Sequence, residues 1–297
     1  MGADRAVELA REKPERLLCI VGPTASGKTD LAIETCARIG GEVVSADSIQ
    51  IYRGFDIGSG KPAAAERARA PHHLLDVLEP SESVDAVRYA ALAERAIADV
   101  RARGKIPVLC GGTFFWVRAL VLGLVDAPAA SEEIRARHRA IADEQGRAAL
   151  HAELAKVDPR SAERLHPNDV VRVSRALEVH ELSGRPMSEW HEEHGFRGKR
   201  MDAVLIAPST TPEELTARIE RRAAAWLEGG FIEEVERLIA EGHGDSRPMG
   251  SVGYKEVRAF VRGELAREAL LPAIVQSTRI FARRQRTWLK SAGVEWL

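Results

Sequence analysis

Short apolar runs alternate with amphipathic stretches along this chain, and the alternation predicts its fold class. Apolar residues recur at helical spacing over 30–34 and over 84–103. Short buried strands that alternate with helices are typical of a parallel sheet with helices on both faces, so we predict an α/β core. The strand-like runs lie at 17–21, 42–45, 106–110, 203–207 and 294–296.

The pattern changes between about residues 127 and 200. Helical periodicity dominates there, prolines punctuate it, and no strand-like run interrupts it. We interpret this stretch as an all-helical insertion into one α/β core, because a strand-like run returns directly after it. The predicted helices of the insertion are 132–145, 147–157 and 169–182. The predicted division is a core of 1–126 and 201–297 and an insertion of 127–200.

A phosphate-binding loop follows the first strand-like run and precedes a helical stretch. The glycines of such a loop let backbone amides surround phosphate oxygens, while its lysine adds a point charge and its threonine a hydroxyl for Mg²⁺. The strand–loop–helix context is the one that the motif G-x-x-x-x-G-K-[ST] requires. Most such loops hold ATP or GTP, so the motif predicts a di- or triphosphate ligand without naming it. Its residues are Gly22, Pro23, Thr24, Ala25, Ser26, Gly27, Lys28 and Thr29.

The composition limits how the chain could bind nucleic acid and indicates the cellular compartment in which it works. The chain has 43 Lys and Arg against 44 Asp and Glu, so a nucleic-acid surface must be a local patch. Its three cysteines lie in apolar or helical runs, which predicts buried reduced thiols rather than a disulfide framework. The N-terminal stretch alternates charges, and no apolar run approaches membrane-spanning length, so we expect a cytoplasmic protein.

Two polar segments follow strand-like runs, where ligands bind in open α/β sheets. Asp47 comes after the run at 42–45, and Gly111, Gly112 and Thr113 come after the run at 106–110. Asp47 is a candidate general base, although Asp is also a common helix N-cap. The paired glycines allow close backbone approach or simply a tight turn. Both segments remain open to either interpretation at this point.

A stretch at 272–290 predicts a helix with one purely basic face. At ~100° per residue, its basic residues fall within roughly 60° of one another. Ile274, Phe281 and Trp288 lie on the other side, which we expect to pack on the core. No Asp or Glu interrupts 276–290. A solvated face normally mixes charges, so this one favours a polyanionic partner. The basic residues are Arg279, Arg283, Arg286 and Lys290.

Arg218 and Arg222 lie four residues apart on a helix that begins near Thr211. A pair at this spacing can clamp phosphate oxygens. The two arginines could equally well form ion pairs with acids of the same helix, such as Glu214.

These motifs, in this order, resemble the tRNA dimethylallyltransferase family of the bacterial type over nearly the whole chain. The phosphate loop of the family has the sequence found here. The further matching segments are Asp47-Ser48, 52–54, 56–58 with 61–62, 71–76, 111–113, 166–169, 172–178, 252–255 and 284–289.

The resemblance implies transfer of a dimethylallyl group from dimethylallyl diphosphate to N6 of adenosine 37 of tRNA, with Mg²⁺ and release of diphosphate. It implies Asp47 as base, Thr113 as its support, and Lys28, Arg218 and Arg222 as groups that neutralise diphosphate charge. Thr29 would bind the metal. A monomer is expected. The implied tRNA-contacting residues are Asp47, Ser48, Ile49, Gln50, Val171, Arg172, Val173, Ser174, Arg175, Gly253, Tyr254, Lys255, Arg279, Arg283, Arg284, Gln285, Arg286 and Lys290.

Two other functions compete with this one. A small-molecule kinase would explain the phosphate loop but neither the single-sign helix nor the helical insertion. A non-catalytic RNA-binding module would not need a complete phosphate loop and an Asp at a strand end. A GTPase is disfavoured because the guanine-specific N-K-x-D motif is absent from the sequence.

Overall fold

A parallel sheet forms the centre of the larger of two compact units. The computed structural model describes residues 2–194, 200–290 and 292–297. In these residues the sheet has six strands in the order β3-β2-β4-β1-β5-β6, and every neighbouring pair is parallel. The α/β fold predicted from the alternating pattern is therefore confirmed. The strands are β1 Leu17–Val21, β2 Glu42–Ser45, β3 His72–His73, β4 Pro107–Gly111, β5 Ala203–Ala207 and β6 Glu295–Trp296.

The helices fall into three groups along the chain. Those before the insertion are α1 Gly2–Glu12, α2 Lys28–Ile39, α3 Ala64–Arg69, α4 Ala86–Ala102 and α5 Phe114–Leu122. The middle group is α6 Glu132–Glu144, α7 Arg147–Val157, α8 Pro159–Arg164, α9 Val170–Ser183 and α10 Met187–His194. The last group is α11 Pro212–Glu228, α12 Phe231–Ala240, α13 Tyr254–Val261 and α14 Arg267–Lys290. No helix in the described part of the chain is long and apolar enough to cross a membrane.

The sheet core explains why the central strands read as continuous apolar runs. All five residues of β1 are buried, as expected for a strand covered on both faces. Leu18 and Ile20 belong to an apolar cluster with residues of α1, α2 and β4, including Leu9, Ile33 and Val108. Burial of such side chains stabilises the fold by roughly 1.5–3 kcal/mol each.

The chain divides into a first unit of residues 1–121 and 201–297 and a second unit of 122–200. The predicted insertion was 127–200, so the second unit begins five residues earlier. It has its own apolar core, which includes Leu150, Leu154 and Val173. Its described residues form only helices. The two ends of the first unit that flank it are adjacent, since the Met201 amide donates to the Val121 carbonyl at 3.1 Å.

The last long helix differs from its prediction in two respects. It begins at Arg267 rather than at Pro272, because the proline lies on an exposed side while Leu270 and Ile274 are fully buried. The expectation that Phe281 and Trp288 pack on the core is wrong, since each is 40% exposed. The buried face is instead formed by Leu270, Ile274, Val275, Thr278, Ala282, Gln285 and Leu289.

Candidate active site

The carboxyl ends of three neighbouring strands bring the candidate segments together. Val21 pairs with Gly111, and Ser45 pairs with Cys110, so β1, β4 and β2 end at the same level. The phosphate loop follows β1, Asp47 follows β2, and Thr113 follows β4. The sheet thus gathers at one edge three segments that lie far apart in the sequence.

The phosphate loop has the geometry that its glycine spacing predicts. Gly27 has φ of +88°, a conformation that a residue with a Cβ rarely adopts, and α2 begins at the next residue, Lys28. Ala25 also has a positive φ, of +64°. The start of α2 directs its free amides and its positive dipole end toward the loop, which favours an anion there.

Two arginines of α11 reach the phosphate loop from the other side. Arg218 Nη1 donates to the Ser26 carbonyl at 3.3 Å, and Arg222 Nη2 donates to Thr24 Oγ1. The alternative, pairing of Arg218 with Glu214, does not occur, because the Glu214 carboxylate caps α11 by accepting from the Thr211 amide at 3.1 Å. The pair thus faces the loop, as a phosphate clamp requires.

These groups line a cleft of about 440 Å³. Burial lowers the pKa of the Lys28 ammonium, and it lowers the pKa of Arg222 to about 10, in both cases against the opposing effect of Asp47. Desolvation of cations is unfavourable without an anion, so the cleft is arranged for a strongly negative ligand. The lining residues are Ala25, Gly27, Lys28, Thr29, Asp30, Gly60, Pro62, Glu66, Arg218 and Arg222.

Asp47 caps a turn and not the helix that the sequence suggested. Its Oδ1 accepts from the Ile49 amide at 2.9 Å and from the Gln50 amide at 3.2 Å, which is a turn-capping role. Its side chain also lines a small cavity of about 20 Å³ with Lys28 and Thr29. One oxygen therefore holds the carboxylate in place, and Oδ2 makes no hydrogen bond to the described residues.

Thr113 contacts the Asp47 segment from β4. Its Oγ1 accepts from the Ser48 amide at 3.0 Å, and its own amide donates to the Ala46 carbonyl at 3.1 Å. The Gly-Gly-Thr turn is therefore bonded to the residues on both sides of Asp47. Thr113 fixes the position of that carboxylate without touching it.

The basic face of α14 forms one wall of a groove of about 670 Å³. Pro212, Leu215, Thr216 and Ile219 of α11 form the other wall. The four predicted basic residues all line this groove, and none of them makes an ion pair within the described part of the chain. Uncompensated positive charge along a groove attracts a polyanion. The four are Arg279, Arg283, Arg286 and Lys290.

Two of the side chains predicted to contact RNA are buried, which corrects those predictions, and two others are bonded within the protein. Val173 and Tyr254 are fully buried, so neither can present its side chain to a ligand. Ser174 bonds His138 at 3.0 Å, and Arg175 is bonded to the buried Glu178 at 2.6 Å. Each of these four stabilises its own unit.

The other predicted RNA contacts are more accessible. Val171 is 80% exposed, and Arg172 and Arg284 are also exposed. Lys255 is exposed in the first turn of α13, whereas Gly253, the residue before that helix, is buried. Ser48, Ile49 and Gln50 are half-buried beside Asp47.

Gln285 is the clearest residue whose role the sequence did not predict. It was grouped with the RNA contacts, yet it is 8% exposed. Its Oε1 accepts from the Thr24 amide at 2.8 Å, and its Nε2 donates to the Gly112 carbonyl at 2.8 Å. The only sign of this role in the sequence is that Gln285 is a polar residue at a position where the amphipathic helix is buried.

Glu234 was also missed. This buried carboxylate accepts from the amides of Asp56, Ile57 and Gly58 and from the Tyr254 hydroxyl, and so fixes the loop that leads to Gly60 of the cleft. The sequence does contain a sign of this role, because Glu234 is an acid among the apolar positions of α12, near Phe231 and Val235.

Thr29 is the residue best placed to bind a metal ion, because it lines both the cleft and the small cavity. No group of three or more His, Cys, Asp or Glu suited to a metal occurs in the residues that the structure describes. A hydroxyl beside a carboxylate fits Mg²⁺, which prefers hard oxygen ligands and takes most of them from water and phosphates.

The family models and relatives that match this chain all describe isopentenyl or dimethylallyl transferases. A family model described as IPP transferase matches residues 50–292, and one described as isopentenyl transferase matches 15–81. The chain is 61% identical to a tRNA dimethylallyltransferase of Sorangium cellulosum over 97% of this chain and 92% of that one. It is 43% identical to that of Geobacter sulfurreducens, over 95% and 91%.

Solved structures show the same likeness. A full-length tRNA isopentenylpyrophosphate transferase of Bacillus halodurans matches with a TM-score of 0.70 at 36% identity, over 95% of this chain and 89% of that one. A eukaryotic dimethylallyltransferase acting on tRNA matches with a TM-score of 0.81 at 27% identity, over 95% and 73%.

Proposed function

Because this chain belongs to the tRNA dimethylallyltransferase family, we propose that it transfers a dimethylallyl group from dimethylallyl diphosphate to N6 of adenosine 37 of tRNA. The observation that carries the proposal is the pairing of two sites at one sheet edge. A cationic phosphate cleft lies beside a carboxylate, Asp47, that is held by the turn after β4. The kinase alternative is not favoured by the relatives of the chain.

The first chemical task is to stabilise the leaving diphosphate. N6 attacks the allylic carbon, the bond from that carbon to the diphosphate oxygen breaks, and the electron pair leaves with the diphosphate. Lys28, Arg218 and Arg222 would oppose the charge that develops on the leaving group. Preorganised cations and amides aimed at developing charge supply the largest single contribution in many enzymes.

The second task is to remove a proton from N6. The Asp47 carboxylate would accept it, because Oδ1 is held by two amides and Oδ2 is left for the substrate. General base catalysis contributes typically ~10²–10⁴-fold. Thr113 would keep the carboxylate in register through the Ser48 amide.

Mg²⁺ is the proposed cofactor, and the Thr29 hydroxyl would help to hold it beside the bound diphosphate. When bound, it would supply charge neutralisation of the diphosphate. The residues of this chain would position the diphosphate through the amides of the phosphate loop and through Lys28.

The tRNA would bind at the groove between α11 and α14 and at the second unit. The groove offers four cations for backbone phosphates. The second unit, with Val171 and Arg172 exposed on α9, is the proposed contact for the anticodon arm. A target adenosine must leave its base stack to reach a cleft, at a cost of about a few kcal/mol that backbone contacts would offset.

The test is to incubate the purified protein with unmodified tRNA, Mg²⁺ and labelled dimethylallyl diphosphate, and with ATP in a parallel sample. We expect label on adenosine 37 and negligible ATP hydrolysis or phosphotransfer. Transfer of the ATP γ-phosphate to a small acceptor, without labelling of tRNA, would refute the proposal in favour of a kinase.

A further inference from the structure

We propose that Gln285 is a positioning residue that sets the spacing between the leaving-group site and the proton acceptor. The proposal rests on the proposed function, because it assigns diphosphate to the phosphate loop and the proton to Asp47. Gln285 would touch neither the diphosphate nor the adenosine. It bonds the two backbone segments that carry them.

The bonds form a continuous chain from one site to the other. Gln285 Oε1 accepts from the Thr24 amide in the phosphate loop, and its Nε2 donates to the Gly112 carbonyl. The next residue, Thr113, accepts from the Ser48 amide, which adjoins Asp47. The side chain of one residue in α14 therefore links the loop after β1 to the turn after β4, and through it to the segment after β2.

The backbone around this link has little freedom to shift. A Cβ at Gly112 would lie 2.5 Å from Gln285 Nε2, and a Cβ at Gly111 would lie 2.1 Å from the Ala46 carbonyl oxygen. Real Cβ contacts are essentially never that short, so a side chain at Gly111 would displace backbone, and one at Gly112 would displace the Gln285 amide from its bonds. Because the packing is this tight, the length of the Gln285 side chain determines the distance between the phosphate loop and the turn after β4.

The same geometry argues against a direct RNA contact for Gln285. The residue is 8% exposed and lies on the buried face of α14 with Ala282 and Leu289. Both ends of its amide are already bonded within the protein. Its effect on transfer must therefore pass through the groups that it holds.

Catalysis is sensitive to such spacing. A displacement of about 1 Å between reacting groups can lower the rate ~10²-fold, even when the change lies away from the chemistry. Loss of Gln285 should therefore lower kcat, while binding of diphosphate, which uses other amides and cations, should change little. A purely structural residue would instead reduce the number of competent sites and leave the kcat of each one unchanged.

The experiment compares Gln285→Met, Gln285→Glu and a control, Leu271→Met, in the full-length protein. Leu271 lies on the same helix, is 36% exposed, and does not line the groove or the cleft. Calorimetric titration with inorganic pyrophosphate and Mg²⁺ counts competent sites, and steady-state transfer to tRNA then gives kcat per site and both KM values.

For Gln285→Met we expect kcat per site to fall ~10²-fold with the pyrophosphate Kd changed less than about threefold. Gln285→Glu keeps the acceptor for Thr24 but opposes a carboxylate oxygen to the Gly112 carbonyl, so its kcat should also fall. It is nearly isosteric, which keeps the test valid if the methionine variant unfolds.

Three outcomes are distinguishable. Transfer by neither the wild type nor Leu271→Met would refute the proposed function. Normal transfer by both, with normal kcat per site in the Gln285 variants, would overturn only the positioning role. A weakened tRNA KM at unchanged kcat would also overturn it, since that result would make Gln285 an RNA contact.

Discussion

The basic groove permits a quantitative prediction about RNA binding. Arg283 and Arg286 line the groove without an acidic partner among the described residues. Each cation that contacts a phosphate releases counterions, which lowers log K by about 0.7–0.9 for each log unit of salt. Arg283→Ala combined with Arg286→Ala should therefore flatten the salt dependence by about 1.4–1.8 units.

The effect is large enough to measure. Over a fourfold increase in salt, the wild type should lose about 7- to 12-fold more affinity for tRNA than the double variant. Stability should change little, because exposed substitutions usually lie within about ±0.5 kcal/mol and the packed face of Ile274, Ala282 and Leu289 is untouched.

The assay is filter binding or fluorescence anisotropy of unmodified tRNA over a salt series, with a thermal melt of each sample. The control is Arg95→Ala with Arg101→Ala, which removes the same charge from exposed positions of α4, outside the groove. We expect the control to retain the wild-type slope. If the Arg283→Ala, Arg286→Ala variant keeps the wild-type salt slope for tRNA binding, the basic residues of the groove do not contact tRNA and are only solvated.

Asp47→Asn removes the proton acceptor but keeps an oxygen that can accept from the two amides. Turnover should therefore fall roughly 10²-fold or more, while pyrophosphate affinity stays unchanged. Near-normal turnover would leave Asp47 only its turn-capping role. Replacement of 123–199 by a short Gly/Ser linker should leave a folded core that binds pyrophosphate but not tRNA in a gel shift, and an unchanged KM for tRNA would contradict this. The bond from Arg103, and then that from His73, lowers the pKa of Glu42 from 4.5 to about 2, so its contribution is full above pH 4.5 and lost as pH falls through about 2. Denaturant titrations of Glu42→Gln should show a loss of ~1–3 kcal/mol at pH 7 that shrinks over this window, and a pH-independent loss would contradict it.

The sequence predicted the sheet well because strand burial leaves a direct signal. β1, β2 and β5 have the predicted bounds, and the motif spacing placed the phosphate loop correctly. It predicted the groove cations equally well, because charge repeats at helical spacing. The short β3 at His72–His73 was missed, since two residues carry no periodicity.

Residues that act through tertiary contacts were harder to predict. Apolar periodicity placed Phe281 and Trp288 on a packed face, but α14 turns its buried face toward Ala282 and Gln285 instead. Helical phase alone does not say which of two apolar sides meets the core. Likewise, a motif match could not separate Tyr254, which is buried against Glu234, from residues that meet a ligand.

The order of strands in the sheet has a consequence for how the chain acquires its structure during synthesis. β1 lies between β4 and β5, and Leu17 pairs with Ala203. One edge of β1 therefore stays open until the ribosome has made all of the second unit, which has a core of its own and can fold meanwhile. Open strand edges invite pairing with other chains, and distant pairings form slowly. We expect the amides of β5 to be among the last to gain protection in pulsed hydrogen exchange, and a nascent chain that ends before this strand to be the most prone to aggregate.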